Sequence, residues 1–222
     1  MRIQLTLSPA IGPVPFNYNY TLFKALHSWL GAQNPWHNAL SLYSFGLLRG
    51  GRVTEGKLYF PQGARWSVSS WNRDLLAQLV ERIAGRPEFA FGMHVQEARI
   101  QLPPQLPERS LLYLDSPVLI KAKRKGQPAR HVTYRDPEAA ELLTAALHRK
   151  MDAASCPPEW KSLHLSFDRA YKWPRTKLID VKGLQHRASL CPLIAEGPAE
   201  AMAFLWSVGA GHNTGMGFGA LK

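Results

Sequence analysis

Leu102-Pro103-Pro104-Gln105-Leu106-Pro107 is the stretch on which the reading of the fold turns. Its three prolines fix φ and remove three amide donors, so neither a helix nor a central strand runs through it. It reads as a domain boundary. The chain therefore divides into residues 1–105 and residues 106–222, and the two halves show the same order of patterns.

In the first half, residues 2–8 alternate, with Ile3, Leu5 and Leu7 on one face, and predict a strand. A helix follows, with Asn17 or Asn19 as cap, a buried stripe of Leu22, Leu26, Trp29 and Leu30, and Gly31 as stop. Tyr20, Lys24 and His27 share a different face of it, at i, i+4 and i+7. Residues 40–48 and 52–60 predict two strands around Arg49-Gly50-Gly51. Trp71, Leu75, Leu76, Leu79, Val80 and Ile83 carry a second helical period, and a strand lies within 88–102.

In the second half, a strand over 111–121 runs into a basic hairpin turning at Gly126-Gln127-Pro128. Asp136-Pro137-Glu138 reads as N-cap, first-turn proline and acid at the positive helix end, and His148-Arg149-Lys150 sits near that helix's C-terminus. Strand material over 163–170 and 178–190 follows. Gly197-Pro198-Ala199-Glu200 opens a last helix that Gly209 closes, before a short strand over 216–221. The order β-α-β-β-α-β thus occurs twice. The expected fold is α+β, two tandem ferredoxin-like (RRM-like) domains.

The 222 residues carry 27 Lys+Arg against 16 Asp+Glu, a formal charge of +11. At 45% hydrophobic the chain can bury a core. No apolar run reaches the ~20 residues of a membrane helix, and the N-terminus lacks the apolar core of a signal peptide. The expected location is the cytoplasm, with no membrane partner. Cys156 and Cys191 are the only cysteines, which excludes a disulfide scaffold and a four-cysteine zinc site. The histidines show no zinc spacing and no acidic cluster suggests a two-metal nuclease, so no cofactor or metal is expected. The charge excess fits a polyanionic partner, beside the plainer reading of a basic enzyme.

Two basic stretches carry that reading. Residues 121–135 hold Lys121, Lys123, Arg124, Lys125, Arg130 and Arg135 with no acid, which suits a hairpin lying along an RNA backbone. Residues 161–187 hold Arg169, Lys172, Arg175, Lys177, Lys182 and Arg187, interleaved with Phe167, Tyr171 and Trp173. Such aromatics stack unpaired bases or fill a core; the phosphate role of the basic residues is the firmer reading. His131 and His186 lie among these charges, placed to touch RNA.

Near the chain end runs Gly209-Ala210-Gly211-His212-Asn213-Thr214-Gly215-Met216-Gly217-Phe218-Gly219. A dinucleotide fingerprint precedes a helix, whereas these glycines follow one, and the Gly-Lys-Ser/Thr of a P-loop is absent. Five glycines in eleven residues exceed the need of a single tight connection. The spacing of Gly209, Gly211, Gly217 and Gly219 resembles the C-terminal glycine-rich loop of the CRISPR-associated repeat-cleaving endoribonucleases of the RAMP superfamily. Ser116-Pro117-Val118-Leu119-Ile120, the basic hairpin, Asp136-Pro137-Glu138, residues 177–183 and His186-Arg187-Ala188 follow that family's course in order. The loop departs from it in carrying His212-Asn213 where an acidic and a basic residue are common.

The resemblance implies metal-independent cleavage of CRISPR repeat RNA in the precursor transcript. The 2′-OH attacks the adjacent phosphate and leaves a 2′,3′-cyclic phosphate. By resemblance His37 matches the family's loop histidine, and His27 occupies a helix position where relatives carry tyrosine or histidine. A histidine titrates near neutrality and so can give and take protons. Tyr43 is expected to hydrogen-bond the phosphate or to sit on a half-buried strand. Many relatives have a lysine early in the strand after the loop histidine. None lies between Asn38 and Leu48 here, and Lys24 is the candidate replacement. RNA contacts are expected at Lys121, Lys123, Arg124, Lys125, Arg130, Arg175, Lys177, Lys182, Arg187 and the loop glycines. Other CRISPR effector subunits and a homodimer are further candidate partners. The rival reading is a non-catalytic subunit that only holds repeat RNA. An unrelated RRM-like binder lacks an aromatic RRM signature on a central strand.

Overall fold

The structure, a computed structural model, describes residues 1–222 except 32, 37, 38, 124, 125, 127 and 128. The first half contains β1 (Arg2–Leu7), α1 (Asn19–Leu30), β2 (Tyr43–Phe45), β3 (Arg52–Thr54), β4 (Lys57–Tyr59), β5 (Ala64–Ser70), α2 (Arg73–Gly85) and β6 (Val95–Gln101). Its antiparallel sheet has the order β2-β5-β1-β6. Ile3, Leu5 and Leu7 are each 1% exposed beneath α1 and α2. Burial of that size stabilises by about 1.5–3 kcal/mol per side chain.

The second half contains β7 (Arg109–Leu112), β8 (Ile120–Ala122), β9 (Arg130–Val132), α3 (Ala139–Ala153), β10 (His164–Phe167), β11 (Arg175–Val181), β12 (Leu184–Leu190), β13 (Leu193–Glu196) and α4 (Ala199–Val208). Its sheet has the order β10-β13-β7, extended by a bridge from Leu114 to Leu221. This is the strand order of the first half, so the chain is two tandem ferredoxin-like folds. The repetition goes further than the expected elements. Hairpin β3–β4 lies between the second and third sheet strands of the first half, and hairpin β11–β12 lies at the same place in the second.

Several expectations are corrected. The strand expected over 52–60 is the hairpin β3–β4, turned by Glu55 and Gly56 at positive φ. The third sheet strand is β5, which alternates apolar residues only with arginine and serine. Its Ser67 and Ser69 share one face and are buried because the second half covers it. The strand over 40–48 shortens to β2, and that over 111–121 is broken between β7 and β8. The closing strand is a 3-10 turn, Thr214–Met216, and the single bridge at Leu221. Trp71 precedes α2, which Asn72 caps, and packs edge-on against Trp160 and Phe204 of the other half. Asp136 does not cap α3; its carboxylate accepts from the amide and hydroxyl of Thr133. Nor does Asn19 cap α1: it is buried and donates to the Gly217 carbonyl at 3.1 Å.

Side chains from both halves meet along a seam. Arg2 lies 3.9 Å over the Trp206 ring, and its Nε donates to Ser69 Oγ. Asp115 accepts from Arg49 Nε and Ser67 Oγ, each at 2.7 Å. A Cβ on Gly46 would fall 1.7 Å from the Asp115 carboxylate, so this approach requires glycine. A small apolar cluster of Leu119, Ile179, Val181, Ala188 and Phe218 binds hairpin β11–β12 to the chain end, with Tyr20 of α1 against it.

Candidate functional site

Helix α1 presents His27 half-buried on the face that also carries Tyr20 and Lys24. Its Nε2 lies 3.2 Å from the Tyr43 hydroxyl and its Nδ1 lies 3.4 Å from Asn34 Nδ2. The Phe23 ring packs at 4.2 Å, tilted 43°, and fixes the plane of the imidazole. Asn34 Nδ2 also donates to the Gly31 carbonyl at 2.6 Å, which orients its amide with the NH2 toward His27. Nδ1 is then an acceptor, and neutral His27 carries its proton on Nε2, an assignment from the hydrogen-bond pattern.

Tyr43 is 3% exposed. Burial pushes its pKa up to about 12, and a hydrogen bond with the Ser41 hydroxyl acts in the opposite direction. At neutral pH it keeps its proton and serves as a hydrogen-bonding partner, not as a base. Gly215 lies against it: a Cβ there would be 2.4 Å from Ser41 Oγ and 2.7 Å from the Tyr43 hydroxyl. The strand is buried throughout, not half-buried as expected, and Tyr43 turns its hydroxyl to His27. His37 lies outside the described residues, as do Arg124 and Lys125.

The four glycines of the expected motif are buried. Gly209, Gly211, Gly217 and Gly219 all have positive φ. A Cβ would meet Ser44 Cβ at Gly209, the Leu119 carbonyl at Gly211, the Phe45 ring at Gly217 and the Ala210 carbonyl at Gly219, all within 3.0 Å. The amides of Gly209, Gly217 and Gly219 donate to Leu205, Thr214 and Pro117 carbonyls. These glycines let the loop fit between the two halves. Its outer rim is half-buried His212 and exposed Asn213.

Lys150, which lies in the last turn of α3 as expected, is 2% exposed. Its Nζ donates to the Val208 and Gly209 carbonyls and to Thr214 Oγ1, at 3.0, 3.1 and 3.0 Å. Burial pulls its pKa down to about 7. Thr214 Oγ1 reaches the Ser41 carbonyl in turn at 3.4 Å, so one lysine ties α3, the end of α4 and the segment before Tyr43 together.

The expected RNA contacts fall into groups. Lys123 and Arg187 are exposed and Lys121 is half-buried, its pKa lowered by burial. Arg130 is held by the carboxylates of Asp136 and Glu138, so it fastens β9 to the start of α3. Lys182, at the β11–β12 turn, sits 5.2 Å from the centre of the Tyr20 ring, and Lys24 sits 5.4 Å from it. Asn17 Oδ1 accepts from the Asp180 amide and holds the hairpin to α1. Two lysines, one from each half, thus converge one to two turns from His27. Arg175 and Lys177 line a separate groove of about 950 Å³ with Tyr171, Trp173, Phe16 and Arg49. Trp173 is 69% exposed, whereas Phe167 is core. Among the described residues no group of three or more His, Cys, Asp or Glu is placed to hold a metal ion, and no helix is long and apolar enough to cross a membrane.

The chain thus joins two ferredoxin-like folds, a basic flank and a histidine–tyrosine pair at their junction. Residues 103–222 match the family model described as CRISPR associated protein Cas6, C-terminal, and the chain belongs to that family. It is 26% identical over 240 residues to a CRISPR-associated endoribonuclease-like protein Cas6 of Pyrococcus furiosus, covering 100% of this chain and 98% of that one. The solved structure of a Cas6-related protein from Pyrococcus furiosus superposes with a TM-score of 0.86 at 22% identity, covering 100% and 97% of the two chains. A RAMP protein binding different RNA substrates superposes with 0.85 at 22% identity, covering 100% and 98%.

Proposed function

We propose that the protein binds CRISPR repeat RNA and cuts the precursor transcript within it, without a metal ion. The observation that carries this reading is the His27–Tyr43 pair, oriented by Asn34, beside two lysines free of carboxylate partners among the described residues. Trp36 and Ala39, which flank His37 in sequence, line a cavity of about 210 Å³ with Tyr43. His37 enters this reading through its resemblance to the family's loop histidine.

The scissile phosphate lies against His27 and the Tyr43 hydroxyl. His37 takes the proton of the 2′-OH as its oxygen attacks phosphorus. The bond to the 5′-oxygen breaks, and His27, as the imidazolium protonated at both nitrogens, supplies that oxygen's proton from Nε2 and is left neutral. A 2′,3′-cyclic phosphate and a 5′-hydroxyl remain. Lys24 and Lys182 offset the charge of the phosphorane, and Lys121, Lys123, Arg124, Lys125 and Arg187 hold the flanking backbone. Arg175 and Lys177 act with Trp173 on an unpaired segment. The buried loop glycines support the site; His212 is engaged by the Lys121 amide and by Arg149, and exposed Asn213 is offered to RNA.

Labelled repeat RNA incubated with the protein in EDTA tests this. One cut is expected, absent with His37→Ala and with a 2′-deoxy scissile nucleotide. Tight binding without any cut would replace the enzyme by a repeat-holding subunit.

A further inference from the structure

We propose that Lys121, His131, His186 and Arg187 form a phosphate-binding site in which RNA binding is linked to protonation of the two histidines. The inference rests on the RNA-binding reading above and adds a site and a linkage to it.

Lys121 on β8 stands directly opposite His131 on β9. Like charges in that relation destabilise a sheet. His131 Nε2 lies 3.4 Å from His186 Nδ1 on β12, with ring centroids 5.4 Å apart and planes at 77°. The contact joins the two basic hairpins. His186 is buried, with its ring edge-on to Phe218, so its position is fixed from beneath. His131 and Lys121 stay half-buried at the rim, where a ligand can reach them.

The charged groups facing the pair are Lys121, Arg187 and Asp180 on β11. Neither Lys121 nor Arg187 is ion-paired among the described residues. The Asp180 carboxylate accepts from the Gly183 amide at the hairpin turn. Burial, then Lys121 and Arg187, hold the His131 pKa below its usual value. Burial, Lys121 and His131 do the same for His186, against a smaller opposite effect of Asp180. Four cationic or protonatable groups therefore crowd together with one carboxylate, itself engaged. A phosphodiester supplies the missing charge: it contacts Lys121, His131 and Arg187, and His186 positions His131.

The sign follows. In the free protein both imidazoles are neutral at pH 7. A bound phosphate favours their charged forms and raises their pKa, so binding takes up protons. Affinity then falls as pH rises from the lowered free pKa through the raised bound one.

The test is the affinity for repeat RNA made uncleavable by a 2′-deoxy scissile nucleotide, at constant ionic strength, from about pH 5.5 to about pH 8. Wild type is expected to lose about tenfold, and the His131→Gln/His186→Gln variant to change by no more than about twofold over the same range. Calorimetry in buffers of different ionisation enthalpy reads the proton uptake directly. The same pH profile in both proteins overturns the proposal. Should the double variant not fold, His131→Gln alone, at the half-exposed position, carries the comparison. If wild type binds no RNA at any pH, the RNA reading fails. The site is then judged by inorganic phosphate: an upward shift of the His131 and His186 titrations sustains an anion site, and unshifted titrations overturn it.

Discussion

The imidazole of His27 is engaged at both nitrogens, and each partner has a consequence. Removing the ring by His27→Ala should slow cleavage by about 10²–10⁴-fold, the usual contribution of a positioned acid or base. If its task is to protonate the leaving 5′-oxygen, a 5′-bridging sulfur, which leaves without a proton, should restore the variant's rate in single-turnover assays. Loss of rate on both substrates would move His27 to another role. Tyr43→Phe removes one hydrogen bond and should lower kcat about tenfold with little change in KM. Its titration near 12 leaves no limb from Tyr43 in the neutral pH–rate profile. At this scale the shared face of Tyr20, Lys24 and His27 was legible from their i, i+4, i+7 spacing, whereas the role given to His27 came from the family resemblance. Asn34 was not legible, because an asparagine before proline reads as a turn former. Gly215 was legible only as one more loop glycine. Its closeness to Tyr43 is a three-dimensional fact, which spacing along the chain does not encode.

Lys150 joins α3 to the end of α4 and to the turn at Thr214. Its lowered pKa gives stability a pH dependence of known sign. Between about 7 and the unfolded value of 10.5 the unfolded chain holds the proton and the folded chain does not, so stability rises with pH through that window. Below it both states are charged and the penalty is complete. Melting temperatures of wild type relative to Lys150→Met should therefore rise from neutral to alkaline pH, and a flat difference would refute the assignment. The same variant strands the Val208 and Gly209 carbonyls and should cost about 1–3 kcal/mol in chemical denaturation. The sequence placed α3 and the position of Lys150 near its end, but not the burial of that lysine, because helical period reports which face is apolar, not which polar residue reaches a buried helix end. It missed β5 for a related reason: a serine alternating with Trp66 and Val68 reads as exposed, yet the other half buries it.

The whole molecule is two similar folds whose junction is polar and close-fitting. The repeated β-α-β-β-α-β order was legible because each half buries its own apolar face. The junction was not, since Asp115, Ser67 and Gly46 carry no pattern of their own. Asp115→Ala leaves Arg49 and Ser67 without their acceptor and should destabilise by about 1–3 kcal/mol, read as a lower denaturation midpoint. RNA binding spans both halves in this account, so affinity should fall steeply with salt, and Lys182→Ala should reduce the slope of log K against log salt by about 0.7, one phosphate's share on a single strand. An unchanged slope would take Lys182 out of the interface. The central claim is the chemistry at the junction, and the terminus it leaves decides it. Mass spectrometry of the upstream product, formed in EDTA, is predicted to show a 2′,3′-cyclic phosphate beside a downstream 5′-hydroxyl; a 3′-hydroxyl with a 5′-phosphate would contradict 2′-OH attack and the roles given to His27 and His37.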